Sequence, residues 1–248
     1  MAMILKVLGS SSKGNSYLLD NGSECLMIEC GVSFIEVKKA LDFDITRING
    51  IIISHEHQDH AKEVKKCLAA QISCYMSKGT SDALGITDDR MCHRLAARKA
   101  AAIGNFLIIP FGVKHDANEP FGYLINHPDM GTCLFATDTY YLPFTFAGLN
   151  HILLECNYRQ DILDANVANG RIPVAMRNRI LQSHCSFDTC LGILKANDLT
   201  EVRNIVLIHL SDGNSNAIEF KRDIETQIGK PVAIAEKGLE ISFNVNPF

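Results

Sequence analysis

The sequence predicts a mixed α/β fold in which two sheets pack face to face with helices outside them. Short apolar segments of strand-forming composition recur along the chain. Stretches of helical periodicity are interspersed with them rather than segregated, and no Pro/Gly/Ser-rich linker, internal repeat or low-complexity tract interrupts the pattern. At 248 residues the chain exceeds one average domain and falls short of two, so a single domain over residues 1–248 is expected. Hydrophobic residues make up 47% and charged residues 21%, ordinary usage that excludes a disordered chain, a collagen-like repeat and a charged coiled coil.

Residues 3–8, 16–20 and 24–29 are runs rich in Leu, Ile, Met and Val, separated by the polar loops 10–16 and 21–23, and read as an opening β-meander. A helix is expected over 33–41, then the strand Ile51–Ile53, then a helix over 61–70 that starts past a polar cluster. Strands follow at 105–110, 121–126, 132–136 and 151–155, and helices at 173–182, 187–196 and 215–228. Closing strands are expected at 203–208, 232–235 and 240–243. Periodicity leaves the strand order open.

The longest purely apolar runs, such as residues 106–109, are far shorter than the roughly 20 residues that cross a bilayer, so no membrane association is expected. The opening MAMILKVLGSS has no basic region ahead of its apolar run and reads as a first strand rather than a signal peptide, which points to the cytoplasm. Nine cysteines, at 25, 30, 67, 74, 92, 133, 156, 185 and 190, include no C-x-x-C pair. That fits neither a disulfide framework nor a Cys-type zinc site and implies small buried hydrophobes. Basic residues number 24 against 28 acidic ones, a net charge of −4 that makes no overall electrostatic case for nucleic-acid binding. Lys13, Lys114, Arg159, Arg171, Arg177 and Arg179 are candidates for a local basic patch that only folding can assemble.

Directly after the strand ending at Ser54 comes His55-Glu56-His57-Gln58-Asp59-His60, an H-x-H-x-D-H arrangement. Alternate residues leaving a strand point the same way, so His55 and His57 can meet one metal ion, while Asp59 and His60, a turn further on, can meet a second. Imidazole with carboxylate suits zinc, manganese or iron rather than calcium. On this motif the sequence resembles the metallo-β-lactamase superfamily, whose members share an αββα four-layer sandwich and five metal-binding motifs in fixed chain order. The third motif resembles His115 in Gly112-Val113-Lys114-His115-Asp116-Ala117, the fourth Asp138 in Phe135-Ala136-Thr137-Asp138-Thr139, and the fifth His209 in Val206-Leu207-Ile208-His209. The resemblance implies two divalent ions, one held by His55, His57 and His115, the other by Asp59, His60 and His209, with Asp138 bridging. It also implies hydrolysis by a hydroxide shared between the ions. The remaining histidines, His93, His127 and His151, match no motif and are expected to be ordinary polar or core residues.

Three further segments narrow the resemblance to the small YycJ/WalJ-like nucleases and their phosphodiesterase relatives. Gly9-Ser10-Ser11-Ser12-Lys13-Gly14-Asn15-Ser16 is similar to their SGSSGN-type loop, whose glycines and hydroxyls can turn donors toward a phosphate. This makes Ser12 and Asn15, with Ser211 after the fifth motif, candidate substrate contacts. His115-Asp116-Ala117 followed by Pro120-Phe121-Gly122-Tyr123 is close to that group's HDA-x-x-P-x-G-Y. Ser183-His184-Cys185-Ser186 stands where these relatives have GHLSN, with Ser183 for Gly, Cys185 for Leu and Phe187 for Asn. By resemblance, His184 is the extra histidine that phosphodiesterases of the tRNA 3′-processing type place beside the scissile phosphate, and with Asp59 it makes up the expected catalytic pair.

Only 70 residues separate Asp138 from His209, too few for the inserted domain of the β-CASP nucleases. Neither a Gly-rich tRNA-gripping arm nor a glyoxalase-type C-terminal helical domain is visible. The expected function is a two-metal phosphodiesterase that takes nucleic acid, DNA favoured, with exonuclease action of 5′→3′ polarity on double-stranded DNA implied by the resemblance alone. The alternative is a small-molecule hydrolase on the same scaffold, a cyclic-phosphate phosphodiesterase or a lactonase. A silent binding module is disfavoured because all seven ligand positions are present. Oligomeric state is not legible in the sequence.

Overall fold

In the computed structural model, which describes residues 2–245, strand-forming runs assemble into two seven-stranded sheets. The first has the order β14 (Glu240–Ser242), β1 (Ile4–Gly9), β2 (Ser16–Asp20), β3 (Cys25–Ile28), β4 (Ile48–Ile52), β5 (Cys74–Ser77), β6 (Cys92–Leu95). The second has the order β13 (Val232–Ile234), β12 (Asn204–Ile208), β11 (Leu149–Glu155), β10 (Gly131–Ala136), β9 (Phe121–His127), β8 (Phe106–Gly112), β7 (Ala101–Ile103). The helices are α1 (Phe34–Ala40), α2 (Gln58–Ala61), α3 (Val64–Ala69), α4 (Lys78–Leu84), α5 (Gln160–Ala168), α6 (Val174–Ser183), α7 (Phe187–Ala196) and α8 (Ala217–Ile228).

The layering follows from the two-residue period of strands whose faces are both covered. In β3, Leu26 and Ile28 face the second sheet and meet a shared core with Tyr17, Phe106, Tyr123, Phe135 and Val206. Its alternate residues, Cys25 and Met27, face outward to Val37 of α1 and to Val64 and Leu68 of α3. On the other side Leu134, Ile152, Leu154 and Leu207 pack under Leu191 and Leu194 of α7 and Phe220 and Ile224 of α8. Helix, sheet, sheet, helix is the αββα sandwich. No helix among the described residues is long and apolar enough to cross a membrane.

The strands that carry the site run parallel: β3 beside β4 in one sheet, and β10, β11 and β12 side by side in the other. Their carboxyl ends therefore lie together, the place where open α/β sheets collect functional loops.

Most of the expected elements form within a residue or two of their predicted bounds. The helix expected over 61–70 is instead two short pieces, α2 and α3, because the chain turns at Lys62–Glu63, where the Glu63 N–H donates to the Cys30 carbonyl. The elements β5, α4, β6, β7 and α5 lie in stretches for which the sequence pattern predicts nothing. The three strands are only three or four residues long, and α4 carries Gly79 near its start. Eight of the nine cysteines are buried, Cys92 is half-buried, and none is in a disulfide, as their spacing predicts.

Candidate metal centre

The predicted metal ligands stand just past the ends of strands, and two further carboxylates, Glu29 and Glu155, join them there. Glu29 follows β3, the segment from His55 to His60 follows β4, His115 follows β8, Asp138 follows β10, Glu155 ends β11 and His209 follows β12. Three of these, Glu29, Asp138 and His209, take positive φ values of 62°, 48° and 53°. A left-handed conformation costs a residue with a β-carbon roughly 1–2 kcal/mol. Such strain persists only where surrounding structure over-determines it, and it concentrates at functional sites.

The fold brings together the two triplets expected from the sequence. Ligand-type atoms of His55, His57 and His115 lie within 4.8 Å of one another, as do those of Asp59, His60 and His209, and as do those of His55, His60 and Asp138. Asp138 Oδ2 is 2.7 Å from His60 Nε2 and 3.9 Å from His55 Nε2, so this carboxylate stands between the two groups. His209 Nε2 is 3.2 Å from Asp59 Oδ2, and His57 Nδ1 faces His115 Nε2 at 3.1 Å.

The donor set fits divalent cations. His55 Nε2 and His60 Nδ1 are buried with no hydrogen-bond partner, a costly arrangement unless something else binds them. The outer atoms of several rings are already engaged. His115 Nδ1 donates to the Ser183 carbonyl at 2.8 Å, which leaves Nε2 as the lone-pair nitrogen aimed at His57. His55 Nδ1 lies 2.9 Å from Ser54 Oγ. Outer partners of this kind orient metal-ligating imidazoles.

Charge points the same way. Burial opposes ionisation of Asp138, yet the neighbouring His209 and His60 hold its carboxyl well below the usual range. Burial likewise works against Asp59, and bonds from His209 and His60 overcome it and keep it ionised. The histidines answer in kind. Burial lowers His60, His184 and His209, but the carboxylates outweigh it and push His184 up to about 10 and His209 up to about 9, with Glu155 foremost for His184 and Asp138 for His209. A group of carboxylates strong enough to hold protons on imidazoles is strong enough to hold cations in their place.

His184 lies between the end of α6 and Ser186, whose hydroxyl caps α7 by accepting from the Thr189 N–H. Its Nδ1 is 2.7 Å from Glu155 Oε1 and 2.9 Å from Asp138 Oδ1. Glu155 is fully buried, and its other oxygen accepts from the Thr139 and Cys185 backbone N–H groups, both at 3.0 Å. One carboxylate thus ties the loop carrying Asp138 to the loop carrying His184. The sequence reading missed Glu155, Glu29 and Asn157. Glu29 accepts from the Ser54 N–H and lies 3.5 Å from His60 Nδ1; Asn157 Nδ2 reaches His209 Nδ1 at 3.1 Å. The available signal was a lone carboxylate closing an apolar run, Ile152-Leu153-Leu154-Glu155, since glutamate is almost never fully buried without a partner.

The centre opens into a cavity of about 320 Å³ whose wall includes His57, Asp59, His115, Asp138, His184 and His209, with Ser12, Ser211, Met176 and Arg179 around them. Ser12 and Ser211 line this cavity. Asn15 does not: it is 1% exposed, and its amide donates to the Ser11 and Asp59 carbonyls at 3.1 and 3.2 Å, so it holds the Asp59 loop in place. Of the six basic candidates only Arg179 lines this cavity. Arg159 and Arg177 are engaged by Asp161 and Asp164, and Lys13 by Asp212. His93 stacks on Tyr75, His127 bonds Glu24 and His151 stacks on Phe243, all outside the centre as expected.

The profile of the metallo-beta-lactamase superfamily matches residues 11–70. Among characterised relatives, an exodeoxyribonuclease WalJ of Streptococcus pneumoniae serotype 2 is 27% identical, the alignment covering 96% of this chain and 91% of the relative. An exodeoxyribonuclease YycJ of Bacillus anthracis is 28% identical, with 97% and 92% covered. Among solved structures, the metallo-beta-lactamase fold protein YhfI of Bacillus subtilis superposes with a TM-score of 0.73 at 15% identity, covering 98% of this chain and 100% of that one. A diphosphatase of the PhnP family gives a TM-score of 0.66 at 17% identity, with 97% and 98% covered. The short form of human tRNase Z gives 0.64 at 16%, with 97% and 99% covered.

Proposed function

We propose that this chain, whose residues 11–70 match the profile of the metallo-β-lactamase superfamily, is a metal-dependent hydrolase of that superfamily, a phosphodiesterase acting on DNA from an end, a cytoplasmic exonuclease. The observation that carries the reading is the pair of His/Asp triplets about Asp138 with half-buried His184 held by buried Glu155 beside them. The exodeoxyribonuclease names of its relatives support DNA as substrate. The 5′→3′ polarity on duplex DNA rests on the resemblance of the opening loop and of the His115-Asp116-Ala117 motif.

In this reading His55, His57 and His115 hold one divalent ion, Asp59, His60 and His209 hold a second, and Asp138 serves both. Bound there, zinc, manganese or iron would activate water and neutralise charge on the phosphate. The chain's own residues do the rest. Ser12, Ser211 and Arg179 line the approach and orient the phosphodiester. Glu155 fixes the His184 ring by its Nδ1, leaving Nε2 to give a proton to the departing alkoxide, which leaves poorly without one.

The deciding experiment offers the remetallated protein duplex DNA, single strands, a cyclic phosphate and a lactone. End-wise cleavage of DNA that weakens steeply with salt is expected, because each lysine or arginine contact to phosphate releases counterions. Turnover of the cyclic phosphate or lactone with no cleavage of any nucleic acid would replace this reading with the small-molecule hydrolase.

A further inference from the structure

Helix α6 is built against the ordinary rule for a surface helix. Over its ten residues, Val-Ala-Met-Arg-Asn-Arg-Ile-Leu-Gln-Ser, only Ser183 is buried, while Val174 is 60% and Met176 52% exposed. An amphipathic helix of a soluble fold turns such residues toward a core. Here Met176 stands over the metal centre instead: with Arg179 and Ile180, at helical spacings of three and four, it forms one wall of the cavity that holds His57, His115, Asp138 and His184. The helix is anchored on that side. The Ser183 carbonyl accepts from His115 Nδ1 at 2.8 Å, and Arg179 Nε donates to Asp116 at 2.8 Å, beside His115. Its far side is held to α5 through Arg177 and Asp164 at 2.6 Å. The helix carries two arginines and no carboxylate.

We propose that α6 forms a nucleobase subsite, in which Met176, flanked by Ile180, packs against the face of the base on the nucleotide being cleaved. This rests on the nuclease reading above and deepens it. A nucleobase is flat, apolar on its faces and carried on an anionic backbone, which matches an exposed thioether one turn from Arg179, whose guanidinium is held at Nε by Asp116 and stays 64% exposed. Methionine suits the role because its unbranched, polarisable side chain adapts to any base without selecting one. Apolar side chains that pack against or between bases recur in proteins handling nucleic-acid ends and single strands. Neither a cyclic phosphate without a base nor a small polar lactone would have a use for this wall.

The test compares the remetallated wild type with Met176→Ser on duplex oligonucleotides whose terminal nucleotides are intact or abasic. Met176→Ser is expected to raise KM on intact ends by roughly 5- to 10-fold, near the lower end of what one stacked base is worth. It should leave kcat and the number of bound ions unchanged. On abasic ends the two proteins should behave alike, with the wild type already weakened by the same factor. Val174→Ser, outside the cavity wall, should match wild type on both. Equal loss by Met176→Ser on intact and abasic ends, or no loss on either, would overturn the subsite while leaving the nuclease reading intact. A wild type that cleaves no oligonucleotide would overturn both, and a Met176→Ser defect confined to an acyl lactone would assign the wall to an acyl chain.

Discussion

Replacing His184 is expected to lower turnover on DNA by roughly 10²–10⁴-fold, the range for a lost general acid, or about 3–5 kcal/mol of barrier. The structure shows what else the ring does. Its Nδ1 lies 2.7 Å from Glu155 Oε1 and 2.9 Å from Asp138 Oδ1, both on buried carboxylates. His184→Ala would leave those oxygens without that partner, and breaking one side of a buried charged pair costs about 3–5 kcal/mol of stability. His184→Asn separates the two effects, since its amide N–H can replace the Nδ1 donor while the outer ring nitrogen is gone. The asparagine variant should therefore lose turnover as the alanine variant does but recover most of the urea midpoint. Single-turnover cleavage of an oligonucleotide is compared with that of a nucleotide p-nitrophenyl ester, whose leaving group needs no proton, and elemental analysis counts ions in each variant. The loss should shrink sharply on the ester. Glu155→Gln should slow DNA cleavage as well, and adding it to His184→Asn should cost little more, because the two residues act as a unit. Loss of an ion in His184→Asn would make the ring a ligand, and an equal defect on both substrates would make it a positioning residue; either result refutes the argument.

Metal-depleted protein should gain about two ions per chain on reloading and become more stable by about 3–4 kcal/mol for each ion at ion concentrations 100 to 1,000 times the dissociation constant. Asp138→Ala should abolish that rise in a thermal melt, and a wild type that binds no zinc, manganese or iron would refute the centre. At Gly31 a β-carbon would sit 1.7 Å from the Asp59 carbonyl oxygen and 2.8 Å from the Asn15 nitrogen. Gly31→Ala should thus displace the Asp59 loop, cost about 1–3 kcal/mol or more and drop the ion count to about one; two ions with a wild-type melt would contradict the packing. Burial holds the His151 imidazole down at about 4, below its value of about 6.5 in an unfolded chain. The unfolded state therefore takes up more protons between those values, and this residue's contribution falls as pH drops from 6.5 toward 4, by roughly 3 kcal/mol over the whole interval. Urea midpoints of wild type and His151→Gln, which can still accept from Asn204, should diverge from pH 7 to pH 5 with the wild type losing more; parallel curves would refute it.

What the sequence determined by itself was whatever depends on neighbours along the chain. The two-residue and 3.6-residue periods of apolar side chains marked most strands and helices, because those periods are properties of the backbone geometry alone. The six-residue segment from His55 to His60 declared a metal site for the same reason, since its ligands diverge from one strand end within a single turn. The tertiary structure decided everything that needs two distant segments to meet. Glu155 closes an apolar strand and resembles any strand-end carboxylate until β11 is laid between β10 and β12 and the α6–α7 junction delivers His184 to it. Arg159 and Arg177 are plausible phosphate ligands in the sequence and are claimed in the fold by Asp161 and Asp164. Asp59 and His209 stand 150 residues apart and come within 3.2 Å. No local preference encodes that approach; the packing of two sheets over one apolar core fixes it, because burying both inner faces leaves the strand ends a single relative position.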